Sequence, residues 1–217
     1  MITVYGEGRG FRVIWLMEEM GLPYRLRSVD LLAGVENDPE FLAINPGGFI
    51  PAIRDGDVTM VESIAIMEYL IARYGDKSKS PIAPAPNDTA YPMYQQFLHL
   101  GEAGLGAAIQ PVVVSRNFAP EGERNNWGAR WALAQFNSRT KLVKRQLARS
   151  LYLAGDAFTA ADISVTYALT LASRAGGIVL GEAEQAYIAR TTTRDAYKRA
   201  VEACPATKAW LARTSDQ

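Results

Sequence analysis

Apolar and polar positions change period several times along this chain, and the changes mark out its elements. Residues 2–5 alternate as a short strand, and the loop Gly6-Glu7-Gly8-Arg9-Gly10 follows. Val13, Leu16, Met17 and Met20 then share one helical face up to Gly21, and residues 24–29 read as a second strand. A short helix near Phe41 leads into residues 45–74, the most informative stretch of the sequence. There an apolar run ends at Ile53 and Asp55-Gly56 signals a hairpin turn. Residues 58–61 restart the strand, and Ile66, Met67, Leu70, Ile71 and Tyr74 restore a helical period that Gly75 should stop.

Strand, helix, strand, short helix, hairpin and helix is the order of a thioredoxin-like domain, whose right-handed crossover makes the first two strands parallel. Residues 75–88, GDKSKSPIAPAPND, have no period and read as a linker. Beyond it strand signals nearly vanish. Helices are expected over 90–116, with Pro92 tolerated in the first turn and Pro111 a kink, and over 122–150. Near residue 159 a capping signature stands out: Thr159 can cap a helix, Asp162 can bond back to it, and Phe158 with Ile163 fits a hydrophobic staple. Losing that cap should cost about 0.5 to 2 kcal/mol without touching chemistry. The expected fold is α+β, a thioredoxin-like N-terminal domain (1–76), a linker (77–88) and an all-α helical domain (89–217).

Composition narrows the chemistry more than the fold. With 217 residues and 48% hydrophobic content the chain can bury an ordinary core. Its 23 basic and 23 acidic residues balance, so bulk charge points to no nucleic acid or acidic membrane. No apolar run approaches the roughly 18 residues of a membrane span, and the N-terminus enters a strand directly, which together predict a cytoplasmic protein. Cys204 cannot form an internal disulfide and His99 cannot build a histidine cluster, so zinc sites of the usual Cys/His type and Cys-x-x-Cys redox chemistry are excluded. Cys204, next to Pro205, is expected to be a small packing residue. The glycine-rich loop is not a phosphate cradle, because it lacks the P-loop Lys-Ser/Thr and Glu7 would repel phosphate.

Two features of residues 45–74 exceed what folding needs. Ile50-Pro51 puts a proline at the mouth of a strand, and a cis bond there would turn the backbone of Ile50 outward to pair with an extended peptide. Glu62-Ser63 opens a helix, where free N–H groups and a hydroxyl can grip a carboxylate. The combination suits a small peptide ligand.

The order Asn45-Pro46-Gly47-Gly48-Phe49-Ile50-Pro51, hairpin, then Glu62-Ser63-Ile64-Ala65-Ile66 resembles the N-terminal half of the glutathione transferase family. Gly155-Asp156-Ala157-Phe158-Thr159-Ala160-Ala161-Asp162 is similar to that family's later helical segment, so the resemblance spans nearly the whole chain. It implies glutathione as cosubstrate, held by Phe49, Ile50, Pro51, Glu62 and Ser63, and attack of its sulfur on a small electrophile lying between the two halves. It also implies a homodimer.

Lowering a thiol's pKa from about 8.5 by about two units takes roughly 3 kcal/mol of thiolate stabilisation. One hydrogen bond to a charged group gives about 1.5 to 3 kcal/mol and a helix N-terminus about 0.3 to 1, so one placed donor suffices. The family supplies that donor as Tyr, Ser or Cys near the end of the first strand. Here the loop up to Arg12 has no Ser, Thr or Cys, which leaves Tyr5, Arg9 or a loop N–H. Tyr5 could equally be a packed strand residue, and Arg9 a solvated charge. A second departure is Phe49, where the family often has Lys or Arg. Both departures motivate an alternative, a protein of this fold that binds without catalysis. A stripe of small residues at Gly101, Ala103, Gly104, Gly106, Ala107 and Ala108 predicts close helix contact.

Overall fold

A computed structural model describes residues 1–31, 33–77 and 81–213. The elements run β1 (Ile2–Tyr5), α1 (Phe11–Met20), β2 (Tyr24–Arg27), α2 (Pro39–Ile44), β3 (Ala52–Asp55), β4 (Val58–Val61) and α3 (Ser63–Tyr74). The helices α4 (Tyr91–His99), α5 (Ala107–Asn117), α6 (Trp127–Leu147), α7 (Ala160–Arg174), α8 (Glu182–Thr192), α9 (Asp195–Ala203) and α10 (Pro205–Arg213) follow. This is a thioredoxin-like sheet with its helices, followed, among the described residues, by helices and one isolated bridge between Tyr152 and Gly155.

Among the described residues, packing groups those up to 82 with 194–213, and 83–193 separately. In the first unit the sheet order is β2-β1-β3-β4, with β1 and β2 parallel and the other pairs antiparallel. The hairpin turns at Gly56, whose φ of 60° is one that side chains resist. Gly21 ends α1 at φ 69°, as the period predicted. Gly75 does not end α3 in that way; it stays right-handed and the helix runs on into a 3-10 turn, Gly75–Lys77. Residues 78–80 of the expected linker lie outside the described residues.

The first helix is buried almost all round, not on one face: Phe11, Arg12, Val13, Ile14, Trp15, Leu16, Met17 and Met20 are all inside. The reason comes from far along the chain, because α9 packs against α1. Tyr197 meets Phe11 and Trp15 edge-on, with centroids 5.5 and 4.9 Å apart. Arg194 forks onto both oxygens of Glu19 at 2.6 and 2.7 Å, and Arg199 reaches Glu18 at 2.7 Å. The residues after 193, expected within the helical domain, therefore group with the sheet.

In the second unit a continuous helix covers Tyr91–Asn117, and its middle, Leu100–Gly106, is π-helical. The departure from α geometry thus falls upstream of Pro111, which lies inside α5. Close packing explains the small residues there. A methyl on Gly101 would come within 2.2 Å of Ser164 Oγ, whose hydroxyl donates to the Leu98 carbonyl at 2.8 Å. Arg139 donates to the Gly104 carbonyl at 3.0 Å. By length and composition alone this helix could cross a membrane, contrary to the sequence expectation that no run qualifies. Half of its apolar window is buried inside the fold, so packing accounts for that composition.

Candidate functional site

The chain from α2 to β3 is built to deliver one short segment. Asn45 is buried, its side-chain amide donates to the Phe49 carbonyl at 2.6 Å, and its oxygen accepts from Gly47 N–H at 3.0 Å. Gly48 closes the turn at φ 69°, and a methyl on Gly47 would strike the Phe49 ring at 2.8 Å. Phe49 itself is 43% exposed, so it offers an apolar surface where the family often has a cation. The Ile50–Pro51 bond is cis, Pro51 is buried and Ile50 half-buried. Against them lies the loop after β1: a methyl at Gly6 would come within 2.3 Å of Ile50 Cγ2, and one at Gly10 within 3.2 Å of Pro51 Cβ. Glycine is required at Gly6 twice over, since its φ is 82°.

The N-terminus of α3 is the second half of the site. Glu62 precedes it with φ 71°, a left-handed backbone unusual outside glycine, and it is exposed and makes no side-chain cap bond. Such residues cluster at ligand clamps and cost about 1 to 3 kcal/mol to hold. Ser63 is only 3% exposed, and its hydroxyl accepts from Arg12 Nη1 at 2.9 Å. Arg12, fully buried in the first turn of α1, therefore sets a positive charge behind Ser63 and the start of α3. Sequence reasoning missed Arg12. The only available signal was a cation at a helix position flanked by Phe11 and Val13, inside an otherwise apolar run.

The two candidates for thiol activation occupy different settings. Tyr5 is 5% exposed; its ring packs 6.1 Å from Phe41 in a cluster with Ala52, and the Arg27 guanidinium lies 5.7 Å from the ring centre. It also borders a polar cavity of about 400 Å³ on the sheet with Thr3, Arg25, Arg27, Glu40 and Arg54. Of these, Arg27 is committed to Asp38 through two hydrogen bonds of 2.8 and 2.7 Å, which hold the Asp38 carboxyl below its ordinary pKa. Arg9 sits half-exposed in the 3-10 turn Gly8–Gly10 that opens α1.

Glu7 does not face a would-be phosphate site. It is 8% exposed and accepts from the backbone N–H of Ala206 and Thr207 at the start of α10. Cys204 is buried, and burial with Glu7 and Glu18 nearby pushes its thiol up to about 12, so it stays protonated. Among the described residues no three His, Cys, Asp or Glu side chains gather as a metal site would require.

With this geometry in view, comparison with known proteins is specific. Residues 10–73 match the family model of the glutathione S-transferase N-terminal domain. The chain is 30% identical over 200 residues to glutathione S-transferase 3 of Zea mays, covering 89% of each chain. Glutathione transferase F7 from Populus trichocarpa superposes with a TM-score of 0.78 at 25% identity, over 94% of this chain and 99% of that one. The theta class glutathione S-transferase from Xanthomonas axonopodis pv. citri, solved with glutathione bound, gives a TM-score of 0.77 at 26% identity, over 92% of this chain and 96% of that one.

Proposed function

Because this chain belongs to the glutathione S-transferase family, with glutathione as its cosubstrate, we propose that it conjugates the glutathione thiolate to a small apolar electrophile, working as a cytosolic homodimer. One observation carries the binding half of this reading. The N-terminus of α3 has no side-chain cap, a left-handed Glu62 and a buried Arg12–Ser63 pair, which together favour a ligand carboxylate there. Phe49, Ile50 and Pro51 supply the strand-like side of the bed, with Phe49 as its apolar rim. The reacting sulfur belongs beside the first turn of α1, where Arg9 is half-exposed and the helix N-terminus favours negative charge. Arg9 is the better candidate to stabilise the thiolate, because the Tyr5 ring is spent on packing against Phe41.

A second reading, glutathione binding without turnover, is favoured by the same packing of Tyr5 and by a loop that offers no hydroxyl or thiol. Calorimetric titration with glutathione, followed by turnover of an aryl halide, separates the two. Binding with turnover supports the transferase, binding without turnover the alternative, and no binding removes both. Arg9→Ala should lower turnover about tenfold or more, and Tyr5→Phe by less than about twofold. The reverse ranking would return the thiol to Tyr5.

The homodimer rests on apolar surface of the helical unit. Trp127 and Trp131 stack with centroids 6.5 Å apart, and both are exposed, as are Phe118 and Val114. Light scattering should give twice the mass of the chain, and Trp131→Glu should shift it toward the single-chain mass.

A further inference from the structure

The loop between β1 and α1 is held from two sides. On one, Gly6 and Gly10 lie so close to Ile50 and Pro51 that neither has room for a methyl without a shift. On the other, the Glu7 carboxylate reaches α10, where Oε1 accepts from Ala206 N–H at 3.2 Å and Oε2 from Thr207 N–H at 2.7 Å. These are first-turn amides that α10 cannot satisfy within itself, and a carboxylate is the group that a helix N-terminus favours. The Glu7 carbonyl meanwhile accepts from Gly10 N–H at 2.9 Å and closes the turn that carries Arg9. One residue is thus both the hinge of the loop and its tie to a helix 200 positions away.

We propose that Glu7 is a positioning residue for glutathione binding. By clamping the loop to α10 it keeps Gly6–Gly10 seated on Ile50–Pro51, so the last helix governs the cosubstrate site through a single carboxylate. The inference rests on the glutathione reading above. The Glu7 side chain seats the loop, while the backbone bond from Gly10 N–H to the Glu7 carbonyl, which closes the Arg9 turn, survives its loss, so that loss should fall on affinity more than on the chemical step.

Glutathione affinity by calorimetry, with KM and kcat for an aryl halide reaction, tests this on the full chain. Glu7→Ala should weaken glutathione binding about tenfold while changing kcat at saturating glutathione by less than about threefold. Glu7→Gln should recover part of the loss, because its amide oxygen still accepts one N–H. Thr207→Pro removes the closer donor from the α10 side, within the first turn, whose N–H groups make no bond inside the helix. It should mimic Glu7→Ala, and the double variant should be no weaker than the single ones. If Glu7→Ala fails to fold, Thr207→Pro with Glu7 intact carries the test. Wild-type affinity in Glu7→Ala or in Thr207→Pro, or losses that multiply in the double variant, would overturn the proposal. A wild-type chain that binds no glutathione sinks the functional reading and this inference together, whereas wild-type binding unmoved by the variants sinks the inference alone.

Discussion

The N-termini of α7 and α3 begin alike in sequence, each with a polar residue at the cap, Thr159 and Glu62, ahead of an apolar helix, and they end in opposite states. At α7 the chain closes on itself. Thr159 and Asp162 form a capping box, and Asp162, fully buried, also accepts from Leu153 N–H at 3.0 Å and from the Tyr187 hydroxyl at 2.9 Å. At α3 no side chain caps the helix, Glu62 is held at φ 71°, and the hydroxyl of Ser63 is turned to Arg12. A helix end that consumes its own donors is scaffold. One that spends its polar side chains elsewhere leaves its amides for a ligand, which is what the proposed role of α3 in holding a glutathione carboxylate requires.

The largest test of that contrast is Asp162→Ala. It should cost about 4 kcal/mol in unfolding free energy, because Leu153, Thr159 and Tyr187 all lose a buried partner. The glutathione affinity of the folded fraction should not change. The same residue gives a pH signature. Burial raises the Asp162 pKa to about 6, against the lowering effect of its hydrogen bonds to Leu153, Thr159 and Tyr187. A carboxyl whose folded pKa exceeds its unfolded value near 3.9 stabilises the fold below about pH 4 and loses that contribution as pH rises toward 6. Relative to Asp162→Asn, the wild-type chain should therefore lose up to about 3 kcal/mol across that window in denaturant titrations. A flat difference would show that the cap holds its charge at no cost, and would weaken the contrast with α3.

How far each end could be read from sequence follows from where its partners lie. The capping box was legible because Thr159 and Asp162 are three residues apart, and local spacing fixes local geometry. The turn at Asp55-Gly56 and the stop at Gly21 were legible for the same reason. The larger cost of losing Asp162 was not, since Tyr187 is 25 positions away and adds its bond only in the fold. Arg12 was missed because its partner, Ser63, is 51 positions on, and a lone arginine in a helix pattern reads as solvated. The all-round burial of α1 was hidden likewise, for a single-face period describes one covering layer and Tyr197 supplies the second. Local signals thus gave the elements and the segment that carries the cis Ile50–Pro51 bond, while charges paired across long sequence separations stayed invisible.

A smaller effect probes α3 itself. Arg12→Met keeps much of the buried volume but removes the charge behind Ser63, and should weaken glutathione binding by about 2 kcal/mol, roughly thirtyfold. Ser63→Ala, which removes the hydroxyl but leaves the helix amides and the guanidinium, should cost about 1 kcal/mol. If the arginine acts through the serine, the double variant should be no weaker than Arg12→Met alone, giving a coupling of about 1 kcal/mol in a double-mutant cycle. If the two losses add, the arginine acts on the ligand through its field, and the hydroxyl acts independently. Arg12→Met that folds and binds glutathione as tightly as wild type would break the contrast between the two helix ends, because the open end of α3 would then need no charge behind it.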